Sequence, residues 1–214
     1  FLEITNEQSA DNGLVSAKSI LVPTLEELEK RINTKGTTTG ISAGLVELDK
    51  YTSGWQKSDL IIVAGRPGMG KTALALNLAM NAIRENNDCH VAIFTLEMSK
   101  EQLLERLLAS TGKIDSTKIR RGNLSESDQD RLMDAARNMN QFGDRLLIDE
   151  TPAITITELR SRCRRFLKEY GRLDLIIIDY LQLMSGSPQA RKQGREREIG
   201  EISMGLKALA KELA

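Results

Sequence analysis

The sequence predicts an α/β fold: a mostly parallel sheet covered by helices on both faces. Three observations predict it. First, short runs that are apolar throughout recur at 59–65 (DLIIVAG), 90–96 (HVAIFTL), 145–149 (RLLID) and 174–179 (DLIIID). That is the pattern of strands buried on both sides, as in parallel sheets. Second, amphipathic stretches of helical period separate these runs. Third, several helix starts are marked: Ser99-x-x-Gln102 and Thr155-x-x-Glu158 have capping-box spacing, and Ser125-x-x-Asp128 is a further cap.

Taken in order, residues 1–18 are polar and read as a linker. In 20–32, Leu21, Leu25, Leu28 and Ile32 form one helical face, with Pro23 expected in the first turn, where its missing N–H costs little. NTKGTTTG (33–40) reads as a second linker. The predicted division is therefore 1–14 tail of a preceding linker, 15–38 linker helix and connector, and 39–214 main domain. Within that domain, helices are expected from Thr72 to about Arg84, from Ser99 with Leu103, Leu104, Leu107 and Leu108 inward, and from Ser125 to about Met139. Two more follow: one from Thr155 to near Gly171, a C′ glycine, and one carrying Ile199, Ile202, Leu206, Leu209 and Leu213 on one stripe. Phe1 is not a start methionine and Ala214 falls inside an amphipathic pattern, so the chain reads as a piece of a longer protein.

Composition excludes several function classes. Charges balance, 30 Lys and Arg against 30 Asp and Glu, so any nucleic-acid contact must come from a local patch. With one histidine, His90, which reads as structural at a strand start, zinc sites built on histidine and Ser-His-Asp triads are essentially excluded. Cys89 and Cys163 lack metal-ligand spacing and read as reduced thiols of a cytoplasmic protein. No run has the roughly 18 apolar residues of a membrane span, and no stretch reads as a signal peptide.

GRPGMGKT, comprising Gly65, Arg66, Pro67, Gly68, Met69, Gly70, Lys71 and Thr72, fits G-x-x-x-x-G-K-[ST] between an apolar run and a helix. The pattern arises by chance in about one chain of this length in a hundred. Its chemistry needs these residue types. Gly68 and Gly70 let backbone N–H groups face phosphates, and the helix N-terminus adds positive potential. Lys71 reaches the β- and γ-phosphates and the Thr72 hydroxyl meets Mg²⁺. The expected cofactors are ATP and Mg²⁺.

Such a site needs an acid on the metal at the end of an apolar strand. Asp179 ends the longer run, and Asp149-Glu150 ends a shorter one. A strand beside the phosphate-loop strand would be apolar on both faces, which favours Asp179. Tyr180, a poor base at neutral pH, follows it. A water-activating carboxylate must then come from the end of a neighbouring strand. Glu97 ends the strand after the phosphate-loop helix. From pattern alone it reads equally as a solvated residue; the missing carboxylate after Asp179 favours the catalytic role.

Residues 39–79, HVAIFTLEMSKEQLLERLL (90–108) and LIIIDYLQLMSG (175–186) resemble the replicative DNA helicases of the DnaB type in bacteria and phages. The resemblance runs collinearly from about residue 15 to the end. It implies a RecA-like P-loop NTPase core in a homohexameric ring around single-stranded DNA. It implies that Lys71 and Thr72 bind ATP and Mg²⁺, that Glu97 is the catalytic glutamate and that Asp179 is the Walker B acid. It implies that residues 15–32 dock on the adjacent subunit, against the plain reading of a helix folded on its own core. Helicase loader and primase are implied partners, primase through a domain before Phe1. A polar sensor strand, a second DNA-binding loop and an arginine finger are implied after Ala214, so that 1–214 alone is expected to bind nucleotide poorly and not to unwind DNA. A recombinase-like ATPase forming filaments on DNA, and an assembly module that binds ATP without turnover, are the rival readings.

SGSPQARKQGRERE (185–198) is expected to be a mobile loop. In RecA-like rings the loop at this place faces the channel, so Arg191, Lys192, Arg195 and Arg197 are candidate phosphate contacts without base stacking. The alternative is an ordinary solvated loop. Arg162, Arg164 and Arg165 cluster on a helix and read as a solvated face or subunit contact.

Overall fold

The computed structural model describes residues 14–33 and 38–213. Residues 1–13 and 34–37, on which the two predicted linkers largely fall, lie outside these. The elements run α1 (Ala17–Asn33), α2 (Val46–Thr52), α3 (Lys71–Glu85), β1 (Val91–Thr95), α4 (Lys100–Gly112), α5 (Ser116–Arg121), α6 (Glu126–Asn140), β2 (Leu146–Asp149), α7 (Ile156–Tyr170), β3 (Leu175–Asp179), α8 (Pro188–Gln193) and α9 (Arg195–Glu212).

The sheet is parallel throughout, in the order β2-β1-β3. Side chains alternate across it because successive Cβ atoms point to opposite faces. Val91, Ile93, Leu146, Ile148, Leu175 and Ile177 face a core built from α3 and α4, including Leu76, Ile83, Leu103 and Leu107. Ala92, Phe94, Leu147, Ile176 and Ile178 face a second core built from α7 and α9, including Leu159, Phe166, Ile202 and Leu206. Two apolar faces are what the unalternating strand composition predicts.

The predicted caps form. Ser99, Ser125 and Thr155 each close a capping box with Gln102, Asp128 and Glu158, and Gly171 ends α7 at φ 79°. The carboxyl groups of Asp128 and Glu158 are held below their ordinary range, Asp128 chiefly by its bond from Lys118 and Glu158 by the Thr155 N–H.

Four expectations are corrected. The run 59–65 forms no ladder: among the described residues its backbone pairs with no strand, and Ile61, Ile62 and Val63 are exposed. A cleft of about 2090 Å³ opens here, lined by Leu60–Ala64 and by Leu175–Asp179 among others. Accordingly β3 is not beside the phosphate-loop run; its partner is β1. Apolar composition reports that a segment can be buried, but not which backbone it pairs with. Pro23 is not in a first turn, because α1 starts six residues earlier at Ala17. Short side chains support the new start: Ser19 Oγ donates to Ser16 O (2.8 Å) and Thr24 Oγ1 to Ile20 O (2.7 Å). The predicted mobile loop 185–198 is α8 and the start of α9, for the reason given below. The apolar stripe of α1 lies in the open, with Leu21, Leu25, Leu28 and Ile32 all exposed rather than folded on the domain's core.

Candidate functional site

The glycine-rich stretch leads directly into α3. Gly68 (φ 78°) and Gly70 (φ 85°) hold left-handed conformations that a side chain disfavours, and Gly70 is the residue before the first turn of α3. The first N–H groups of α3 therefore face the loop without intrahelical partners. Lys71 folds back over the loop, its Nζ donating to Gly65 O (2.8 Å) and Arg66 O (3.3 Å). Residues 65–70 are exposed, and Thr72 is half-buried at the second position of α3.

The ends of β1 and β3 are joined. Thr95 pairs with Asp179 in the parallel register, and the next N–H, of Leu96, donates to Asp179 O at 2.8 Å. Glu97 follows immediately. Its turn is set by Thr95, a buried residue whose Oγ1 donates to Met98 O (3.0 Å) and accepts from Met98 N (3.3 Å). Glu97 itself is exposed and, among the described residues, forms no hydrogen bond or ion pair. Asp179 is only 9% exposed, yet no described side chain donates to its carboxylate. Neither carboxylate oxygen is among the buried atoms left without a partner, so the group stays open to a cation or donor from the cleft it lines.

Gly65, Pro67, Gly68, Gly70, Lys71, Thr72, Glu97 and Asp179 all line the same cleft. The structure thus brings together the phosphate loop and both predicted acids. Arg66 and Met69 belong to the loop but are not part of that lining. Arg106 of α4 and Gln182 also line the cleft; nothing in their sequence spacing marks them, since each belongs to the cleft only through the packing of its element.

The rival acids are placed elsewhere. Asp149 ends β2, on the far side of β1 from β3. Its carboxylate pairs with Arg162 and accepts from Thr151 N–H at 2.9 Å. Burial pushes its pKa up, but those partners outweigh burial and hold it below the ordinary value. Glu150 accepts the N–H of Lys100 at 2.9 Å, which lowers its pKa and fixes the start of α4. Both are structural partners, not open ligands.

The basic segment is held in place by a buried carboxylate. Glu198, 6% exposed, accepts the N–H of Gly186 (2.9 Å) and pairs with Arg191 and Arg195; Arg195 also donates to Gln182 O. A Cβ on Gly186 would stand 2.6 Å from Glu198 Cγ, so glycine is required for this approach. Ser187 adds bonds from its N–H and Oγ to Glu201 (3.0 and 2.8 Å). Two guanidinium groups and a backbone N–H gathered by Glu198, with Ser187 held by Glu201, convert a Gly/Ser/Pro-rich stretch into ordered structure. Lys192 and Arg197 form no ion pair with any described residue. In the other basic cluster, Arg162 is taken by Asp149, Arg164 meets Glu212 of α9, and Arg165 forms no ion pair with any described residue; Arg160, on the same helix, also meets Glu212.

The family model for the DnaB-like helicase C-terminal domain matches residues 40–214. The chain belongs to the DnaB-like helicases. This DnaB-like chain is 47% identical over 208 residues to the replicative DNA helicase DnaB of Geobacillus stearothermophilus, covering 97% of the chain and 45% of that protein. It is 47% identical over 196 residues to the replicative DNA helicase DnaC of Bacillus subtilis (strain 168), covering 92% and 42%. The chain thus spans less than half the length of these relatives. Among solved structures it resembles the ATPase domain of G40P, with TM-score 0.83, 31% identity, and coverage of 94% of this chain and 69% of that one. It also resembles a DnaB-like replicative helicase studied for its interactions with primase, with TM-score 0.79, 30% identity, and coverage of 94% and 46%. The fold is therefore RecA-like, as expected.

Proposed function

We propose that this chain is the ATPase motor of a replicative DNA helicase. The observation that carries the proposal is the convergence of the phosphate loop, Glu97 and Asp179 on one cleft, with β1 and β3 joined by the Leu96–Asp179 bond. Family membership supports the choice of helicase over the recombinase-like reading and over a module that binds ATP without turnover.

The residues fit a nucleotide with Mg²⁺. A hydroxyl and an unpaired carboxylate are hard oxygen donors, and Mg²⁺ is held by one or two protein oxygens with phosphate and water completing the shell. Thr72 and Asp179 would supply those oxygens; when bound, the metal neutralises charge on the phosphates. Gly65, Pro67, Gly68, Met69 and Gly70 present the loop to the phosphates, with Arg66 beside them. Lys71 exchanges its bonds to Gly65 O and Arg66 O for phosphate oxygens. Glu97 orients the attacking water and takes its proton. Catalysis is mostly positioning and charge stabilisation.

The assembly reading also belongs here. The proposed division is linker helix and connector at 15–38 and RecA-like domain from 39. The exposed face of α1 is suited to dock on the adjacent subunit of a hexameric ring. Each Leu or Ile it buries contributes roughly 1.5–3 kcal/mol before the cost of association. Single-stranded DNA is the proposed track, with Arg191, Lys192, Arg195 and Arg197 as the candidate basic segment. A loader and primase are further proposed partners, in the bacterial cytoplasm. The test is strand displacement on forked DNA by the full-length protein. ATP-dependent displacement, lost in Lys71→Ala and Glu97→Gln, is expected. Filaments on DNA without displacement would favour the recombinase-like reading.

A further inference from the structure

We infer that Lys207 is a positioning residue for the phosphate loop: it pins the start of the segment leading into that loop to α9. The inference rests on the reading of residues 65–72 as a nucleotide site.

The segment from Ser58 to Gly65 has an unusual attachment. Among the described residues, no backbone N–H of 60–65 donates a hydrogen bond, so the sheet does not set its position. Its polar contacts to side chains lie at its two ends. At the far end, Lys71 bonds the carbonyls of Gly65 and Arg66. At the near end, Lys207 Nζ donates to Ser58 O at 2.7 Å and lies 3.4 Å from Asp59 Oδ1. Ser58 holds a left-handed conformation (φ 65°), which turns the chain into the segment. Leu60 then packs against the core shared by α7 and α9. A charged donor on one carbonyl is a directional constraint that apolar packing alone does not supply.

The helix that carries Lys207 is tied, nearer its start, to the segment that follows β3. Glu198 and Glu201 accept the N–H groups of Gly186 and Ser187, in the segment that follows Asp179. Nine residues of helix, about 13.5 Å of rise, separate Glu198 from Lys207. One rigid element therefore holds both the entry to the phosphate loop and the exit from the strand of the candidate metal acid. Any shift of α9 relative to the sheet moves Ser58 through Lys207. No spacing or motif in the sequence marks this lysine, whose carbonyl partner is 149 residues away.

The test uses the full-length protein and reads ATP turnover against ATP concentration. Lys207→Met should raise KM for ATP roughly tenfold, the scale of one lost charge-assisted hydrogen bond, while changing kcat less than about twofold. Lys207→Arg, which keeps a charged donor, should restore KM to within about threefold of wild type. A merely structural role would lower kcat with the folded fraction and leave KM alone. If Lys207→Met unfolds, Lys207→Gln, an uncharged donor, serves instead and should show the same split more weakly. An unchanged KM in Lys207→Met, or failure of Lys207→Arg to rescue it, overturns the inference. Lys71→Ala separates the two readings: if it leaves turnover intact, the nucleotide site is wrong; if it abolishes turnover while Lys207→Met leaves KM unchanged, only the positioning role is wrong.

Discussion

Thr95→Val isolates the turn that presents Glu97. Valine keeps the β-branched shape and suits a strand, so the backbone of β1 is undisturbed. What disappears is one hydroxyl, 1% exposed as part of its residue, with bonds to Met98 O at 3.0 Å and from Met98 N at 3.3 Å. At about 1 kcal/mol net per bond, two bonds contribute about 2 kcal/mol. The new methyl recovers roughly 0.8 kcal/mol of apolar burial. The net loss is about 1 kcal/mol, which lowers the melting temperature of a chain this size by roughly 2–4 °C. Turnover should suffer far more. Glu97 is exposed and has no internal partner, so the Thr95–Met98 turn is what aims it. Freeing that turn should cost roughly 10- to 100-fold in kcat. Thr95→Ser keeps both bonds and loses only the methyl; it should cost stability on a similar scale with kcat near wild type. The assays are thermal melting and steady-state ATP hydrolysis by the full-length protein. Turnover within twofold of wild type in Thr95→Val would refute the reasoning, because Glu97 would then be aimed by something other than this turn.

Glu97→Gln removes the carboxylate without touching any internal bond; kcat should fall by roughly 10²–10⁴ with an unchanged melting curve, and undiminished turnover would remove Glu97 from the proposed catalytic role. Lys192→Ala and Arg197→Ala, singly, should each flatten the salt dependence of single-stranded DNA binding by roughly 0.7 in log–log slope, whereas Arg191→Ala should change it less because Glu198 already takes that charge. Burial pushes Cys89 to about 11 and Cys163 to about 12, so native protein at pH 8 should resist alkylation that unfolded protein undergoes within minutes. Both folded values are raised, so their contribution is complete below the ordinary 9.0 and is lost as pH rises through 11 to 12; alkaline melts should show that decline, and Cys163→Ala should reduce it. Asp128 is shifted the other way, its stabilisation present above the ordinary 3.8 and lost as pH falls below it, so Asp128→Asn should be less stable than wild type at pH 7 and should converge with it in acid melts.

The amino-acid sequence alone determined what depends on short-range chemistry. The glycines of 65–70 specify a left-handed turn before a helix whichever way the rest of the chain packs. Ser99, Ser125 and Thr155 specify helix starts because each cap closes within four residues. Strands apolar on every position specify a sheet covered on both sides. The tyrosine after Asp179 pointed to a carboxylate on another strand, and the parallel register of β1 and β3 sets Thr95, two residues before Glu97, opposite Asp179. Tertiary structure alone decided whatever depends on a partner far along the chain. The apolar run 59–65 reads as a strand, but hydrophobicity carries no information on backbone pairing, and its N–H groups meet no strand here. The Gly/Ser/Pro-rich segment 185–198 reads as mobile, because local composition does not reveal that Glu198 lies buried beneath it and gathers Gly186, Arg191 and Arg195. Nothing in the local sequence of Lys207 marks it. Its bond to Ser58 exists only because folding brings α9 against a segment 149 residues earlier, and only that contact distinguishes it from the other lysines of the chain.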